Sequence, residues 1–356
     1  MGKFLKKVRG FFGKKSSSWM WIFSAVGLLV VFVFGVAYSY HAGFQSEVNS
    51  FLWAKESGSG AVAVKIFHLP VTVVYNSASA EQKTKMEKLL ANLVDPTVAL
   101  KDTALQTTWL DAKTPEAQKL IAQSGLKYLP QIFVDVAIEK HPQFAKFTDY
   151  LTKAGGTYFI RLAPLEVLEA PVIKENDHFK NDPATAKVTI FAYESLLCDH
   201  CATEQKVFKD LLKLYGQKLA VVYRHFEPGD VNNAYAQGVE CAGDQQKYFE
   251  MHDKLYADQA ALLLELDKVK NDAEAAPILR KELEKSAKAL NLKLKDFQAC
   301  LDAGTHKIVV ENQTVDALNY GVNAPPAFFI NKNFRLGLQS FDDLKNIIDA
   351  ELKRLK

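Results

Sequence analysis

At 356 residues with 48% hydrophobic content, the chain is too long for one small domain and suits two of ordinary size with real cores. A formal net charge of +3 is close to neutral, so composition points to no nucleic-acid partner. The basic residues that stand out, Lys3, Lys6, Lys7, Arg9, Lys14 and Lys15, all precede the first apolar run, and later charges are mixed as on a solvated surface.

That run, Trp19 to Tyr40, contains no charged residue. As a helix it would extend roughly 33 Å, enough to cross a bilayer core of about 30 Å. Trp19 and Trp21 at one end and Tyr38 and Tyr40 at the other fit interfacial aromatics. The basic flank predicts a cytoplasmic N-terminus (1–18), a transmembrane helix (19–40) and an extracytoplasmic remainder, hence a single-pass cell-membrane protein. The competing reading is a cleaved signal peptide ending near Ala37–Ser39, but the apolar stretch exceeds a usual signal core, and both readings export the rest.

Residues 41–60 end in a Ser/Gly stretch and read as a linker. Two folded regions are expected beyond it, 61–169 and 188–356, joined by a charged connector, 170–187. Each opens with a β-branched and aromatic run suited to a buried strand, Val71 to Tyr75 and Val188 to Phe191. Each continues into a helix-like stretch, Glu81 to Leu93 and Cys201 to Leu214. Each later has a proline entering an apolar strand, Pro130 and Pro326. The second region is much longer between these landmarks. Its excess falls largely within about 232–320, where Phe249, His252, Leu255 and Tyr256, then Leu279, Leu283, Ala287 and Leu290, have helical spacing. The pattern predicts an α/β fold, two copies of one plan, the second with a helical insertion. A final amphipathic helix, 341–355, starts at Ser340 with Asp343 in the capping-box position.

All four cysteines, Cys198, Cys201, Cys241 and Cys300, lie on the exported side, where cysteines usually pair; sequence alone does not fix the connectivity. Cys198-Asp199-His200-Cys201 follows a strand and opens a helix. A helix N-terminus presents unpaired N–H groups and partial positive charge, which stabilise a thiolate, the attacking species. Cys198 is the expected nucleophile and Cys201, one turn on, the resolving thiol. His200 can support the thiolate; Asp199 opposes it electrostatically yet suits a first helical turn. A rival reading joins Cys241 and Cys300 to the CxxC as a four-thiolate zinc site. Against it, zinc ribbons usually supply a second close pair. A merely structural 198–201 disulfide would constrain little chain.

Four features together make residues 188–356 resemble the DsbA-like branch of the thioredoxin superfamily. They are the strand Val188–Phe191, the motif 198–201, the stretch ECAGDQQKYFEMH at 240–252 and GVNAPPAFFIN at 321–331. The resemblance implies a thioredoxin fold with an inserted helical domain and an active-site disulfide exchanged with client proteins. It also implies a cis-proline facing the CxxC, by position Pro326, and a quinone-linked DsbB-like or vitamin K epoxide reductase-like membrane partner that reoxidises the pair. Two departures touch redox poise and client binding. Asp199 replaces the proline of a Cys-Pro-His-Cys motif, and Pro325, which lacks an N–H, replaces the usual Thr or Val before the cis-proline. Cys241 and Cys300, both in the insertion, are left to form a structural disulfide.

Region 61–169 resembles a thioredoxin fold without its thiols. Matching Val71 to Val188 puts Glu81 and Thr84 where the cysteines would fall, leaving a spacer, client platform or docking domain. Glu194 is either an exposed edge carboxylate or a proton relay to Cys201. His225 and His252 read as packed or surface histidines, and Phe328 and Phe329 as core. The expected activity is thiol:disulfide exchange with exported, cysteine-containing clients, as an oxidase rather than an isomerase or reductase. It requires no dissociable cofactor, and no residues are assigned to a metal. The alternative is a noncatalytic client-binding or zinc-stabilised scaffold.

Overall fold

The computed structural model describes residues 66–94, 100, 102–154 and 156–355. The expected transmembrane helix at 19–40 lies outside them; among the described residues no helix is long and apolar enough to cross a membrane. The chain divides into two compact units. One comprises the described residues of 66–112 with Ile132–Ile160; the other comprises Lys113–Gln131 and 161–355. The division therefore departs from the expected 61–169 and 188–356 ranges, because Lys113–Gln131 and 161–169 belong with the larger unit.

In the smaller unit, β1 (Phe67–Tyr75) leads into α1 (Ala80–Leu93) and returns as β2 (Thr103–Asp111), parallel to β1. The larger unit then takes α2 (Pro115–Ser124) and β3 (Tyr128–Leu129). After the cis Leu129–Pro130 bond come β4 (Gln131–Val134), β5 (Leu151–Ala154) and β6 (Thr157–Ile160). The sheet order is β2-β1-β4-β6-β5.

In the larger unit β3 pairs with β7 (Glu166–Val167). Residues 170–187, expected as a connector, supply an edge strand, β8 (His178–Lys180), and Asp177, which grips the buried guanidinium of Arg224 at 2.6 and 2.7 Å. The main sheet is built from β9 (Val188–Glu194), then α3 (Asp199–Tyr215), then β10 (Leu219–His225) parallel to β9. Five helices follow: α4 (Asp230–Gly243), α5 (Tyr248–Leu266), α6 (Asp272–Ala289), α7 (Leu294–Ala303) and α8 (Lys307–Asn319). The chain re-enters the sheet as β11 (Ala327–Ile330), antiparallel to β9, then β12 (Asn333–Leu336), and closes with α9 (Phe341–Arg354), capped by Ser340. The order is β12-β11-β9-β10-β8.

Strand alternation explains the layering. Ile190 and Ala192 join Phe208 and Leu211 of α3 and Leu344 and Ile348 of α9 in one core. Phe191 and Tyr193 point the other way, to Ala317 of α8, Tyr320 and Val322. Both faces are covered, so β9 is buried along almost its whole length. The helical insertion has its own core of Leu255, Leu279, Leu283 and Phe297, which also takes in Leu196 and Cys201. Those two residues bring the insertion's core against the CxxC loop.

Candidate active site

β9 ends at Glu194, and four residues later Cys198 is the N-cap of α3. Its backbone is extended, and its sulfur accepts the N–H of Cys201 at 3.2 Å. The motif's first sulfur thus takes one of the helix's unpaired donors, as a capping oxygen would. Cys198 is half-buried and Cys201 fully buried; both are free thiols. Burial pushes the Cys201 thiol well above its ordinary range, and its hydrogen bond to Cys198 and that sulfur's charge push the same way. Asp199 and His200 are exposed: Asp199 Oδ1 accepts the His200 N–H at 2.8 Å and lies 3.7 Å from the ring. The His200 ring is therefore turned to Asp199 and makes no hydrogen bond to Cys198.

Pro326 follows a cis Pro325–Pro326 bond and immediately precedes β11, whose Ala327 pairs with Tyr193 of β9. This register puts Pro326 at the end of the sheet from which the CxxC loop emerges. Pro325 is half-buried, and Pro326 is buried with its carbonyl accepting the N–H of Gly337 at 2.7 Å.

Glu194 is not an edge carboxylate. It is buried, with Oε1 2.5 Å from His252 Nε2 and Oε2 accepting from Gln205 at 2.6 Å. Burial alone would lower the His252 pKa; the Glu194 charge and the Asp253 hydrogen bond reverse that and raise it. His225, also buried, pairs with Glu240 at 2.9 Å. Phe328 and Phe329 are core residues.

Three groups not foreseen from sequence hold the loop before Cys198. Gln259 of α5 donates to the carbonyls of Leu196 (2.8 Å) and Cys198 (2.9 Å). Tyr256 donates to the Ser195 carbonyl at 3.2 Å. Glu227 accepts from Ser195 Oγ (2.7 Å) and Leu196 N (2.8 Å), and burial lifts its pKa to about 8. A signal existed for two of them. His252, Tyr256 and Gln259 share one helical face, placing three polar groups on a stripe otherwise buried with Leu255 and Leu262. Glu227 sits after β10, and only the fold brings it to the loop.

Cys241 of α4 and Cys300 of α7 are joined by a disulfide, with Cα atoms 5.9 Å apart. The four-thiolate zinc set is not assembled: among the described residues, the cysteine sulfurs that converge with other ligand atoms are those of Cys241 and Cys300, with His306.

In the smaller unit, Ser79 caps α1 and accepts the N–H of Gln82, repeating the geometry of Cys198 and Cys201. Ser79 lies four residues past the end of β1, as Cys198 lies four past the end of β9. The positions equivalent to the cysteines are therefore Ser79 and Gln82, two residues before Glu81 and Thr84. Matching the starts of two strands slipped by one full pleat, which preserves the in–out pattern and so leaves no trace in hydrophobicity.

Residues 182–350, a little under half of the chain, match the family model described as Thioredoxin. The sheet order β12-β11-β9-β10-β8, with helices inserted between β10 and β11, is consistent with that match and gives the segment a thioredoxin-like α/β fold. Among solved structures, alpha-DsbA1 of Wolbachia pipientis is similar, at 22% identity and a TM-score of 0.44, over 52% of this chain and 97% of that one. So is the protein-disulfide isomerase of Novosphingobium aromaticivorans, at 20% identity and 0.44, over 51% and 99%. BdbD of Bacillus subtilis matches at 19% identity and 0.43, over 52% and 97%. Curated relatives include the Na(+)/H(+) antiporter NhaA 1 of Salinispora arenicola, 34% identical over 27% of this chain and 15% of that protein. The antiporter NhaA of Herminiimonas arsenicoxydans is 29% identical over 46% and 24%. The chain spans under a quarter of the length of these curated relatives.

Proposed function

We propose that the chain is a membrane-anchored, extracytoplasmic thiol-disulfide oxidoreductase that exchanges disulfides with exported client proteins through Cys198 and Cys201. One observation carries this reading: a half-buried cysteine sulfur caps a helix directly beside a fully buried partner thiol, whose pKa that burial pushes up. In the oxidising direction a client thiolate attacks Cys198 of the Cys198–Cys201 disulfide and Cys201 departs. The client's second thiolate then attacks its own sulfur of the mixed disulfide, leaving both active-site thiols reduced. A DsbB-like or vitamin K epoxide reductase-like membrane protein would reoxidise the pair. Net oxidation is the favoured direction over isomerisation or reduction.

In this reading residues 19–40 form the anchor. The smaller unit, with Ser79 and Gln82 in place of thiols, is a thioredoxin-like domain for client binding or partner docking. Its corresponding strands, β2-β1-β4-β6, follow the order β10-β9-β11-β12 of the larger sheet. The antiporter likeness covers too little of those proteins to carry a transport role.

The test is exchange with a model dithiol or disulfide substrate. Cys198→Ser should abolish turnover, and Cys201→Ser should accumulate mixed disulfides at Cys198. Full turnover by Cys198→Ser would sink the mechanism.

A further inference from the structure

The disulfide between α4 and α7 has two more ligand-type groups around it. Asp244, just past the end of α4, directs Oδ2 at both His306 Nε2 (2.9 Å) and Cys300 Sγ (3.6 Å). His306 immediately precedes α8. Both sulfurs and a ring nitrogen of His306 lie within 4.8 Å of one another. Cys241 is buried, Cys300 and His306 are half-buried and Asp244 is exposed. A surface cavity of about 520 Å³ opens against Cys241, Asp244 and Cys300, giving a small solute a path to the bond.

Two cysteines, one histidine and one carboxylate are ligand types that zinc accepts in a closed four-coordinate site. A zinc ion about 2.3 Å from each sulfur would hold the sulfurs about 3.8 Å apart. Side-chain rotation can reach that spacing from Cα atoms 5.9 Å apart, without moving the helices. The ion would sit between His306 and Asp244, which already face each other. While the sulfur–sulfur bond exists, the sulfurs are not thiolates and the site is closed to metal.

We propose that the Cys241–Cys300 pair has a second state: once reduced, it forms with His306 and Asp244 a zinc site that clamps the same junction of α4, α7 and α8. Reduction needs a dithiol, which delivers two electrons and two protons. The Cys241–Cys300 bond breaks, two thiols form and the dithiol becomes a disulfide. Zinc then displaces both thiol protons to water and takes the imidazole nitrogen and the Asp244 carboxylate as its remaining ligands. The disulfide and the metal are thus mutually exclusive. The state of this junction reports the redox history of the domain independently of the Cys198–Cys201 couple.

The experiment uses the full chain in detergent with Cys198→Ser and Cys201→Ser, so that the CxxC cannot bind metal. The protein is reduced with a phosphine, freed of metal and titrated with Co²⁺ and then Zn²⁺. One ion per chain is expected, with the visible bands of tetrahedral Co²⁺ and its thiolate charge-transfer absorption, bleached by Zn²⁺. The oxidised protein should bind none. His306→Ala and Asp244→Asn should each weaken binding at least tenfold, and Zn²⁺ should raise the Tm of the reduced chain but not of Cys241→Ser/Cys300→Ser. The proposal is overturned if the reduced chain, folded or not, neither binds nor is stabilised by Zn²⁺. Binding that is indifferent to both His306→Ala and Asp244→Asn overturns it as well.

Discussion

Glu227 touches no sulfur, yet its two oxygens fix Ser195 and Leu196, the residues that aim Cys198. Its pKa is raised by burial from 4.5 to about 8, so the folded protein holds this proton more tightly than the unfolded chain does. Stability from this group is present below about pH 4.5 and is lost as the pH rises towards 8, at roughly 1.4 kcal/mol per unit of separation. Glu227→Gln keeps an oxygen for the Leu196 N–H and an amide for Ser195 while removing the charge. Urea midpoints between pH 5 and 8.5 should therefore fall less steeply in Glu227→Gln than in the parent chain. An unchanged slope would mean that the Glu227 charge is not the group destabilising the loop.

Among the elements, α4 ties the insertion to the sheet through one carboxylate. Glu240 accepts from His178 of β8 and from His225 of β10, each at 2.9 Å, and His178 stacks on Tyr248 at 3.4 Å. Burial pushes the Glu240 pKa up, but the two histidine hydrogen bonds and the histidine charges prevail and hold it at about 2. A carboxylate lowered from 4.5 to about 2 contributes stability that is complete above pH 4.5 and is lost as the pH falls towards 2. The separation corresponds to roughly 3 kcal/mol. Glu240→Gln should be less stable at pH 7 and should lose less on acidification, giving curves that converge near pH 2 in thermal melts. Parallel curves would refute this assignment. The Cys241–Cys300 bridge supports α4 one residue further on, adding about 4 kcal/mol in the chain-entropy model for a loop of this length.

For the whole molecule, topology decides whether the chemistry can work at all, because disulfides persist outside the reducing cytoplasm. In the topology proposed from the basic residues before Trp19 the N-terminus lies inside, and residues 61–356 should then be digested when protease reaches the outer face of the cell membrane in otherwise intact cells. Protection of that fragment until lysis would reverse the orientation and remove the oxidising environment the mechanism needs.

Much of the candidate site is legible locally. Cys198 and Cys201 stand out by spacing, since a strand followed by CxxC at a helix start is a pattern within one stretch of chain. The position of Pro326 came from the family resemblance, and the boundaries of the helical insertion from apolar periodicity. What sequence could not supply depends on distant segments meeting. Glu194 reads as an edge group until His252 and Gln205 close over it. Glu227 and Gln259 become loop anchors only when β10 and α5 converge on residues 195–198. Ser79 and Gln82 were missed because a two-residue slip along a strand keeps every side chain on its own face, and only the helix cap fixes the register. Sequence determined which residues are the candidates for sulfur chemistry, since that depends on composition and local spacing. Tertiary structure decided which buried carboxylates, amides and histidines surround them, because burial and hydrogen bonding across the fold have no local signature.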